Sequence, residues 1–421
     1  FFVPMSRVFF LKKKRRIFMT LYEDLKWRGL INDITSPDLE RKLNEEKLTF
    51  YIGTDPTADS MHIGHYSSFL ISKRLAKYGH HPLLLVGGAT GRIGDPKPTS
   101  EREMKSLEEI NHNVECLAKQ AKKIFGFEIV NNYDWSKDIN FMDFLRDYGK
   151  YFNINYMLDK DIIRRRLETG ITYTEFSYMI MQAMDFLYLF EHKNCTLQVA
   201  GSDQWGNITA GVDLIKKKTG KEAYGFTMPL VLDANGNKFG KTEGNALWLD
   251  KEKTSPYELY QYLINTDDST VIDYLKKLTF LTKEEIERIQ KEQEKYPETR
   301  VAQKELAKQI ITDIHGESEY LHAKEVSESL FTGKVANLTD QEIATVFKGV
   351  PTFAYQNIPL IDLLVENKIA SSKREAREFL SANAITVNGE VIQDENYILE
   401  DKKYNIIRRG KKKYFLIEKD L

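Results

Sequence analysis

Two histidines three residues apart, His62 and His65, follow the apolar segment 48–52. In the first turn of a helix both imidazoles would face the same side, where free backbone N–H groups already attract anions. Gly64 between them removes a side chain at a point where a nucleotide must come close. The spacing predicts a phosphate site, although a structural or surface histidine pair fits this segment equally well.

Lys238 and Lys241 lie far downstream, in the segment Lys238-Phe239-Gly240-Lys241-Thr242. Two ammonium groups on a polar, glycine-containing loop could close over a triphosphate. A lysine pair in a loop is usually solvated surface, so this interpretation depends on the histidine pair in the same predicted domain. Together the two motifs favour a site that stabilises negative charge on phosphates.

A third set of polar residues interrupts an apolar helical stretch, residues 176–187. Tyr178, Gln182 and Asp185 recur at i, i+4 and i+7 and form one stripe of that helix. A buried carboxylate is costly without a donor or a cation, so it needs either an internal hydrogen bond or a ligand. Tyrosine carries the ammonium and hydroxyl groups that would fit, and Tyr51 offers its hydroxyl a second partner.

Short apolar runs alternate with amphipathic stretches between about residues 48 and 249, which is typical of βαβ units and a parallel sheet covered by helices. The predicted strands are 48–52, 82–88, 129–130, 196–200 and 228–232, and the predicted helices include 63–78 and 100–124. Ligands of such sheets bind at the carboxyl ends of the strands. Tyr51, the glycine-rich segment 87–95 and the polar segment 198–207 all lie at such ends. We therefore expect an α/β, Rossmann-like catalytic domain.

Lys- and Glu-rich helical sequence follows Asp250, and a different texture begins near residue 350. The predicted helices are 255–264, 270–277, 283–312, 360–366 and 372–381. Asn388-Gly389 between alternating apolar residues predicts a hairpin. The predicted organisation is a basic N-terminal extension (1–18), the catalytic domain (19–249), an all-α domain (250–340), a linker (341–357) and a small α+β domain (358–421).

The composition restricts the compartment and the partners. The 421 residues carry 61 Lys and Arg against 62 Asp and Glu, so a nucleic-acid surface has to be a local basic patch. Cys116 and Cys195 are too few and too far apart for a disulfide framework or a zinc site, which favours a reducing compartment. No apolar run is long enough to span a bilayer. The basic extension, with Lys12 to Arg16, is either a transit peptide or a non-catalytic segment.

The motifs at 62–65 and 238–242 resemble the two signatures of the class I aminoacyl-tRNA synthetases, His-Ile-Gly-His and Lys-Met-Ser-Lys-Ser. Segments 51–60, 178–185 and 201–209 are similar to the bacterial-type tyrosyl-tRNA synthetases. This resemblance implies that tyrosine is activated with ATP, accompanied by Mg²⁺, and then loaded onto tRNA(Tyr). The tyrosine carboxylate attacks the α-phosphate, so catalysis requires positioning and charge stabilisation but no protein nucleophile.

Matching positions carry the family's functional residues onto this sequence in three groups, with no metal ligand among them. The catalytic residues implied are His62, His65, Lys238, Lys241 and Thr242. The tyrosine-binding residues implied are Tyr51, Asp95, Tyr178, Gln182, Asp185 and Gln198. The ATP-binding residues implied are Gly53, Asp55, Thr57, Gly201, Asp203 and Gln204, together with His62, His65, Lys238 and Lys241.

Two departures from the family pattern concern ATP. Ile52 stands where many relatives have a cysteine that touches the ribose, and the loop after Asp95 is shorter than usual. We therefore expect somewhat altered ATP binding.

The C-terminal region resembles the small RNA-binding module first known from ribosomal protein S4. Lys373 and Arg377 share one helical face, and a second basic run, 408–413, lies near the C-terminus. The resemblance implies that these side chains bind the tRNA. The tRNA-binding residues implied are Lys373, Arg374, Arg377, Arg408, Arg409, Lys411, Lys412 and Lys413. The resemblance to the tyrosyl-tRNA synthetases also implies a homodimer, with residues around 151–173 at the interface, and the cysteine content favours the cytoplasm.

Two alternatives remain open at this point. A tryptophanyl-type synthetase shares the nucleotide motifs but has no phenol to bind Tyr51 and Asp185. A non-catalytic RNA-binding relative would retain the fold alone, although the intact His62, His65 and Lys238 favour an active enzyme.

Overall fold

The computed structural model describes residues 19–97, 104–240, 246–332, 338–347, 350–410 and 413–419. The chain forms two compact units. The first contains the chain through residue 59 together with 67–230, and the second contains 60–66 together with 231 onward. Residues 60–66 and 231–249 therefore group with the second unit, whereas the sequence predicts them within the catalytic domain. The extension 1–18 lies outside the described residues.

Helices and strands alternate through the first half of the chain, and helices then precede a second set of strands. The helices are α1 (Leu21–Trp27), α2 (Leu39–Glu45), α3 (Ile63–Ala76), α4 (Leu107–Phe125), α5 (Tyr133–Ser136), α6 (Phe141–Asp143), α7 (Ile154–Leu158), α8 (Asp161–Arg166), α9 (Tyr173–Lys193), α10 (Trp205–Thr219), α11 (Pro256–Ile264), α12 (Val271–Leu278), α13 (Lys283–Lys295), α14 (Val301–His315), α15 (Glu317–Thr332), α16 (Asp340–Val346), α17 (Leu360–Glu366) and α18 (Lys373–Ser381). The strands are β1 (Thr49–Thr54), β2 (His81–Val86), β3 (Glu128–Asn131), β4 (Cys195–Gly201), β5 (Tyr224–Met228), β6 (Thr352–Ala354), β7 (Ile385–Val387), β8 (Glu390–Val391), β9 (Tyr404–Arg409) and β10 (Lys413–Glu418).

A five-stranded parallel sheet forms the centre of the first unit, in the order β3-β2-β1-β4-β5, which confirms the predicted α/β fold. The inner strands are continuous apolar runs because helices cover both faces of such a sheet. The strand order reverses direction between β1 and β4, where Tyr51 and Gln198 are register partners. A crevice at this switch point is the usual ligand site of the fold.

The predicted fifth strand, 228–232, is wrong in its position. The strand is Tyr224–Met228, and the chain then leaves the sheet, so that Leu232 pairs only with Lys238 in an isolated bridge. Apolar residues continue past the end of the strand, and hydrophobicity alone does not mark where the pairing stops.

Helix α9 carries the polar stripe and is confirmed as a buried helix. Thr172 caps it by accepting a hydrogen bond from the backbone N–H of Glu175, and Asn194 ends it in the left-handed conformation with φ 51°. Its apolar residues, among them Met179 and Phe186, pack into the core of the first unit.

The second unit begins with a helical bundle. The single helix predicted over 283–312 is wrong, because α13 and α14 are separate helices. Pro297 follows α13 and cannot continue its backbone hydrogen bonds, and Arg300 then turns the chain with φ 51°.

A second, mixed sheet follows in the order β6-β10-β9-β7-β8. Asn388 and Gly389 both have positive φ, 51° and 93°, which confirms the predicted hairpin. The linker predicted over 341–357 is wrong in structure. Most of α16 lies in it, capped by Thr339, and β6 within it pairs in parallel with β10.

Within the described ranges, no helix combines the length and the apolarity that crossing a membrane requires.

Candidate active site

Asp185 lies on α9 in the first unit and is 3% exposed. Its Oδ2 accepts a hydrogen bond from Asn132 Nδ2 and its Oδ1 accepts one from Trp135 Nε1, both at 2.9 Å. Burial raises the pKa of this carboxyl to about 7, although the two hydrogen bonds lower it. The internal hydrogen bonds considered from the sequence are therefore present. A carboxylate has about four acceptor positions, so capacity remains for a ligand.

The raised pKa of Asp185 makes protein stability pH-dependent. The folded chain holds the proton more tightly than the unfolded chain, so the free energy of unfolding falls as pH rises from about 4 to about 7. Asp185→Asn removes this ionisation. The free energy of unfolding of the variant minus that of wild type should therefore be higher at pH 8 than at pH 5, by roughly 2–3 kcal/mol at most. Urea unfolding without ligand at both pH values measures this. If the variant and wild type differed in stability by the same amount at pH 5 and pH 8, the prediction would be contradicted. The control is Glu191→Gln, because Glu191 is an exposed carboxyl on the same helix.

On the neighbouring strands β1 and β4, two buried polar side-chain atoms have no hydrogen-bond partner among the described residues. One is the Tyr51 hydroxyl, on a side chain that is 2% exposed, and the other is Gln198 Oε1, on a side chain that is 1% exposed. Burial keeps the pKa of Tyr51 well above its ordinary value, so its phenol is neutral. Unpaired buried polar atoms cost free energy, and a ligand with a hydrogen-bonding group would remove that cost.

Tyr178 and Asp55 form the next polar contact of the first unit. The Tyr178 hydroxyl donates to Asp55 Oδ2 at 2.9 Å, and Thr90 Oγ1 donates to Asp55 Oδ1 at 2.7 Å. Burial raises the pKa of Tyr178 well above its ordinary value, and nearby Asp55 adds to this. Asp55 directly follows β1, so this hydrogen bond brings Tyr178 of α9 to the carboxyl end of that strand.

A second polar network joins Asp95 with Gln182 and Gln204. Gln204 Nε2 donates to Asp95 Oδ2 at 2.8 Å. Asn207 Nδ2 lies within hydrogen-bond distance of Asp95 Oδ1, Gln182 Oε1 and Gln204 Oε1, at 3.3, 3.1 and 2.9 Å. A carboxylate held by amide donors suits an ammonium group.

The other residues predicted in the first unit lie at strand ends. Gly53 is the fifth residue of β1 and Gly201 is the last residue of β4. A Cβ on Gly201 would come within 2.7 Å of Asp203 Oδ1, so glycine leaves room for that carboxylate. Thr57 and Asp203 are exposed.

His62 and His65 lie in the second unit and cap helix α3. The backbone N–H of His65 donates to Nδ1 of His62 at 3.3 Å, and the backbone N–H of His62 donates to Nδ1 of His65 at 3.1 Å. This is the reciprocal arrangement of a capping box, with two imidazoles in place of serine and glutamate. The rings stack with centroids 3.8 Å apart. The spacing of three residues is therefore required by the cap.

The cap also determines the tautomer of both rings. Because each Nδ1 accepts a hydrogen bond, the proton of each neutral ring is on Nε2. Burial, together with a smaller contribution from the neighbouring His62, lowers the pKa of His65 to about 3, so His65 is neutral at physiological pH. The presence of glycine at position 64 has a structural reason as well, because a Cβ there would lie 2.9 Å from the His62 ring.

The lysine segment begins at a hairpin in which Leu232 pairs with Lys238. Lys238 is exposed, whereas Phe239 is 3% exposed and contacts the rings of Tyr262 and Tyr274, at 5.7 and 4.8 Å between centroids. Lys241 and Thr242 lie outside the described residues.

Backbone hydrogen bonds join this segment to the histidine pair. Leu247 N–H donates to the carbonyl of Gly240 at 3.1 Å, and Ile63 N–H donates to the carbonyl of Leu247 at 2.8 Å. Gly240 has φ 81°, and a Cβ there would come within 1.9 Å of Ile63 Cγ2. The structure thus brings the described part of the lysine segment, residues 238–240, next to the histidine pair within the second unit.

The predicted tRNA-binding residues have different surroundings. Exposed Lys373, Arg374 and Arg377 form ion pairs with Asp362, Glu378 and Glu395. Arg409 donates to the carbonyl of Ile369 and lies over the rings of Phe379 and Phe415, which indicates a structural role. Arg408 is half-buried, Lys413 is exposed, and Lys411 and Lys412 lie outside the described residues.

Sequence reasoning missed several polar residues that hold the predicted ones. Asn132 and Trp135 were not identified at all, whereas Thr90 and Asn207 lie in the strand-end segments 87–95 and 198–207 but received no role of their own. Thr90 and Asn132 follow the carboxyl ends of β2 and β3, so the strand-end rule could have found them. Nothing in the local sequence indicates Trp135.

Comparison with known proteins identifies the family. Residues 43–332 match the family described as tRNA synthetases class I (W and Y), and residues 342–417 match the Tyrosine--tRNA ligase SYY-like C-terminal domain. The chain is 50% identical over 416 residues to the tyrosine–tRNA ligases of Listeria welshimeri and Geobacillus stearothermophilus, an alignment that covers 95% of this chain and 99% of each relative. The crystal structure of a C-terminally truncated mitochondrial tyrosyl-tRNA synthetase from Aspergillus nidulans matches with a TM-score of 0.67 and 35% identity, over 74% of this chain and 94% of that one. The chain therefore belongs to the tyrosyl-tRNA synthetases, the tyrosine–tRNA ligases of class I.

Proposed function

We propose that Tyr51 and Asp185 bind the phenol hydroxyl of the substrate tyrosine. The observation that carries this proposal is the buried Tyr51 hydroxyl, which has no hydrogen-bond partner in the described part of the chain and which a substrate hydroxyl would satisfy. Asp185 supplies an acceptor held in place by Asn132 and Trp135. Tryptophan has no hydroxyl and would leave both groups without that partner, so the site favours tyrosine.

The ammonium of tyrosine is bound by Tyr178 and Gln182 with Asp95 nearby, and Gln198 completes the pocket. Asp95 supports this role because its carboxylate is already oriented by Gln204 and Asn207. Opposite charge on a half-buried carboxylate gives the ammonium a strong partner.

The groups that act on ATP have two kinds of chemistry. His62 and His65 donate Nε2–H groups to the phosphates, and Lys238, Lys241 and Thr242 add positive charge and a hydroxyl. As the tyrosine carboxylate attacks the α-phosphate and pyrophosphate leaves, these donors stabilise the developing charge. The remaining ATP contacts are assigned to Gly53, Asp55, Thr57, Gly201, Asp203 and Gln204.

Mg²⁺ accompanies the ATP in this proposal, bound by its phosphate oxygens. Among the described residues, no group of three or more His, Cys, Asp or Glu side chains could hold a metal ion. The reaction is placed in the cytoplasm, which suits the unpaired Cys116 and Cys195.

Pyrophosphate exchange measured with each of the twenty amino acids tests the proposed substrate. Tyrosine should drive the exchange, and tryptophan and phenylalanine should not. Exchange driven by tryptophan and not by tyrosine would overturn the proposal.

The C-terminal basic residues are assigned to tRNA binding. Replacing Lys411, Lys412 and Lys413 together by alanine should lower the kcat/KM of tRNA charging by roughly tenfold, because phosphate contacts are lost. Tyrosine-dependent exchange should not change. Lys119, Lys122 and Lys123, exposed on α4, provide a control with the same change of charge. An equal loss of charging and exchange would contradict this role.

A homodimer is also proposed, with residues around 151–173 at its interface. Ile154, Leu167 and Tyr173 are large apolar side chains that are 57%, 49% and 60% exposed, and a second copy would cover them. Light scattering should give twice the chain mass, and Ile154→Glu should shift it toward the monomer. A wild-type protein that is monomeric at micromolar concentration would contradict the proposal.

A further inference from the structure

Two carboxylates of the first unit are connected by a chain of buried hydrogen bonds. Thr90 Oγ1 donates to Asp55 Oδ1 at 2.7 Å and accepts from Asn132 Nδ2 at 2.9 Å. The same Asn132 nitrogen donates its other hydrogen to Asp185 Oδ2, also at 2.9 Å. Thr90 and Asn132 thus connect Asp55, which follows β1, to Asp185 on α9, although these two carboxylates are 130 residues apart in the sequence.

The direction of every hydrogen bond in this chain is determined. The backbone N–H of Ala89 donates to Asn132 Oδ1 at 2.7 Å, which orients the amide so that its nitrogen faces both Thr90 and Asp185. The single hydroxyl proton of Thr90 then goes to Asp55. Thr90 is 2% exposed and Asn132 is fully buried, so bulk water does not substitute for a lost partner.

The backbone leaves space for this contact. A Cβ on Gly87 would lie 2.3 Å from both Asp55 Oδ1 and Thr90 Oγ1. That separation is far below a normal contact, so only glycine at position 87 permits the Thr90–Asp55 hydrogen bond in its present geometry. Three elements, β1, the turn after β2 and the end of β3, therefore meet at this hydroxyl.

We infer that the Thr90 hydroxyl is a positioning group that couples recognition of the substrate phenol at Asp185 to the placement of Asp55. The inference rests on the proposed roles of Asp185 and Asp55. Thr90 itself acts through these two carboxylates. Loss of its hydroxyl removes a donor from Asp55 and leaves one N–H of Asn132 without its acceptor, so Asp185 is held less firmly.

Thr90→Val and Thr90→Ser separate the hydroxyl from the rest of the side chain. Valine keeps the shape and removes the hydroxyl, whereas serine keeps the hydroxyl and removes the methyl group. Tyrosine- and phenylalanine-dependent pyrophosphate exchange is measured for both variants, with kcat and KM for tyrosine and for ATP. Thermal unfolding is recorded in parallel. Thr90→Ala replaces Thr90→Val in the comparison if the valine variant does not fold.

Thr90→Val should lower kcat/KM for tyrosine by roughly 10- to 100-fold, as for a buried hydrogen bond left unmade. It should also lower the preference for tyrosine over phenylalanine, and Thr90→Ser should retain both within about threefold. A preference unchanged in Thr90→Val, or a serine variant as impaired as the valine variant, would overturn the inference. A wild-type protein without tyrosine-dependent exchange would instead refute the proposed function.

A double-mutant cycle tests the coupling itself. Thr90→Val and Asp185→Asn are measured singly and together, with tyrosine-dependent exchange as the readout. If the chain couples the two ends, the loss from Thr90→Val should be several-fold smaller in the Asp185→Asn background. If the fold-losses of the two single variants simply multiply in the double variant, Thr90 acts on Asp55 alone, and the coupling would be overturned.

Discussion

Asp185→Asn should reduce tyrosine-dependent pyrophosphate exchange by at least about 100-fold in kcat/KM and remove most of the preference for tyrosine over phenylalanine. Asn132 and Trp135 each direct a donor at one oxygen of Asp185. An asparagine has only one oxygen, so one donor would face an NH₂ group. The substrate hydroxyl would also lose its charged acceptor.

The tyrosine-to-phenylalanine ratio is the decisive readout for this variant. A pocket that hydrogen-bonds a hydroxyl rejects the analogue without it by about 10⁴–10⁵-fold, a value measured on this very family. Glu191→Gln, on the exposed side of α9, is the matched control and should behave as wild type. An Asp185→Asn ratio equal to that of wild type would remove Asp185 from the pocket.

The double variant His62→Ser with His65→Gln should lower kcat for exchange by about 10²- to 10³-fold for each donor lost, with little change in KM for tyrosine. Serine and glutamine three residues apart form the ordinary capping box, so helix α3 keeps its cap. Both Nε2–H donors are absent, however. The variant therefore separates the structural role of the histidine pair from its chemical role.

Thermal unfolding is the control for this pair. The double variant should have an unfolding temperature close to that of wild type. His62→Ala should lose about 1 kcal/mol of its free energy of unfolding, because alanine provides no capping group. If the double variant retained wild-type kcat, the histidines would serve only as a cap. That result would contradict their role on the phosphates.

Much of the catalytic fold could be predicted because the signals are local. The central strands are continuous apolar runs, and the stripe on α9 follows directly from helical periodicity. The turn at Asn388-Gly389 depends on two residues whose backbone preferences are strong. The structure differs from the prediction where apolar residues continue past the end of a strand pairing, as after Met228, and where one proline separates two helices, as at Pro297.

The polar partners of the site could be predicted less well, because they depend on contacts between distant segments. Asp185 was identified as a buried carboxylate, but its partners Asn132 and Trp135 lie about 50 residues earlier in the chain. The spacing of His62 and His65 alone predicts a ligand-binding face. Only the structure shows that the same spacing lets each imidazole accept the other residue's backbone N–H.

Equilibrium binding of tyrosine and phenylalanine to the wild-type protein, measured by calorimetry without ATP, tests most directly whether the buried groups of Tyr51 and Asp185 recognise a phenol hydroxyl. Tyrosine should bind at least about 100-fold more tightly than phenylalanine, since phenylalanine leaves both groups without a hydroxyl partner. Equal affinity for the two amino acids would contradict the account.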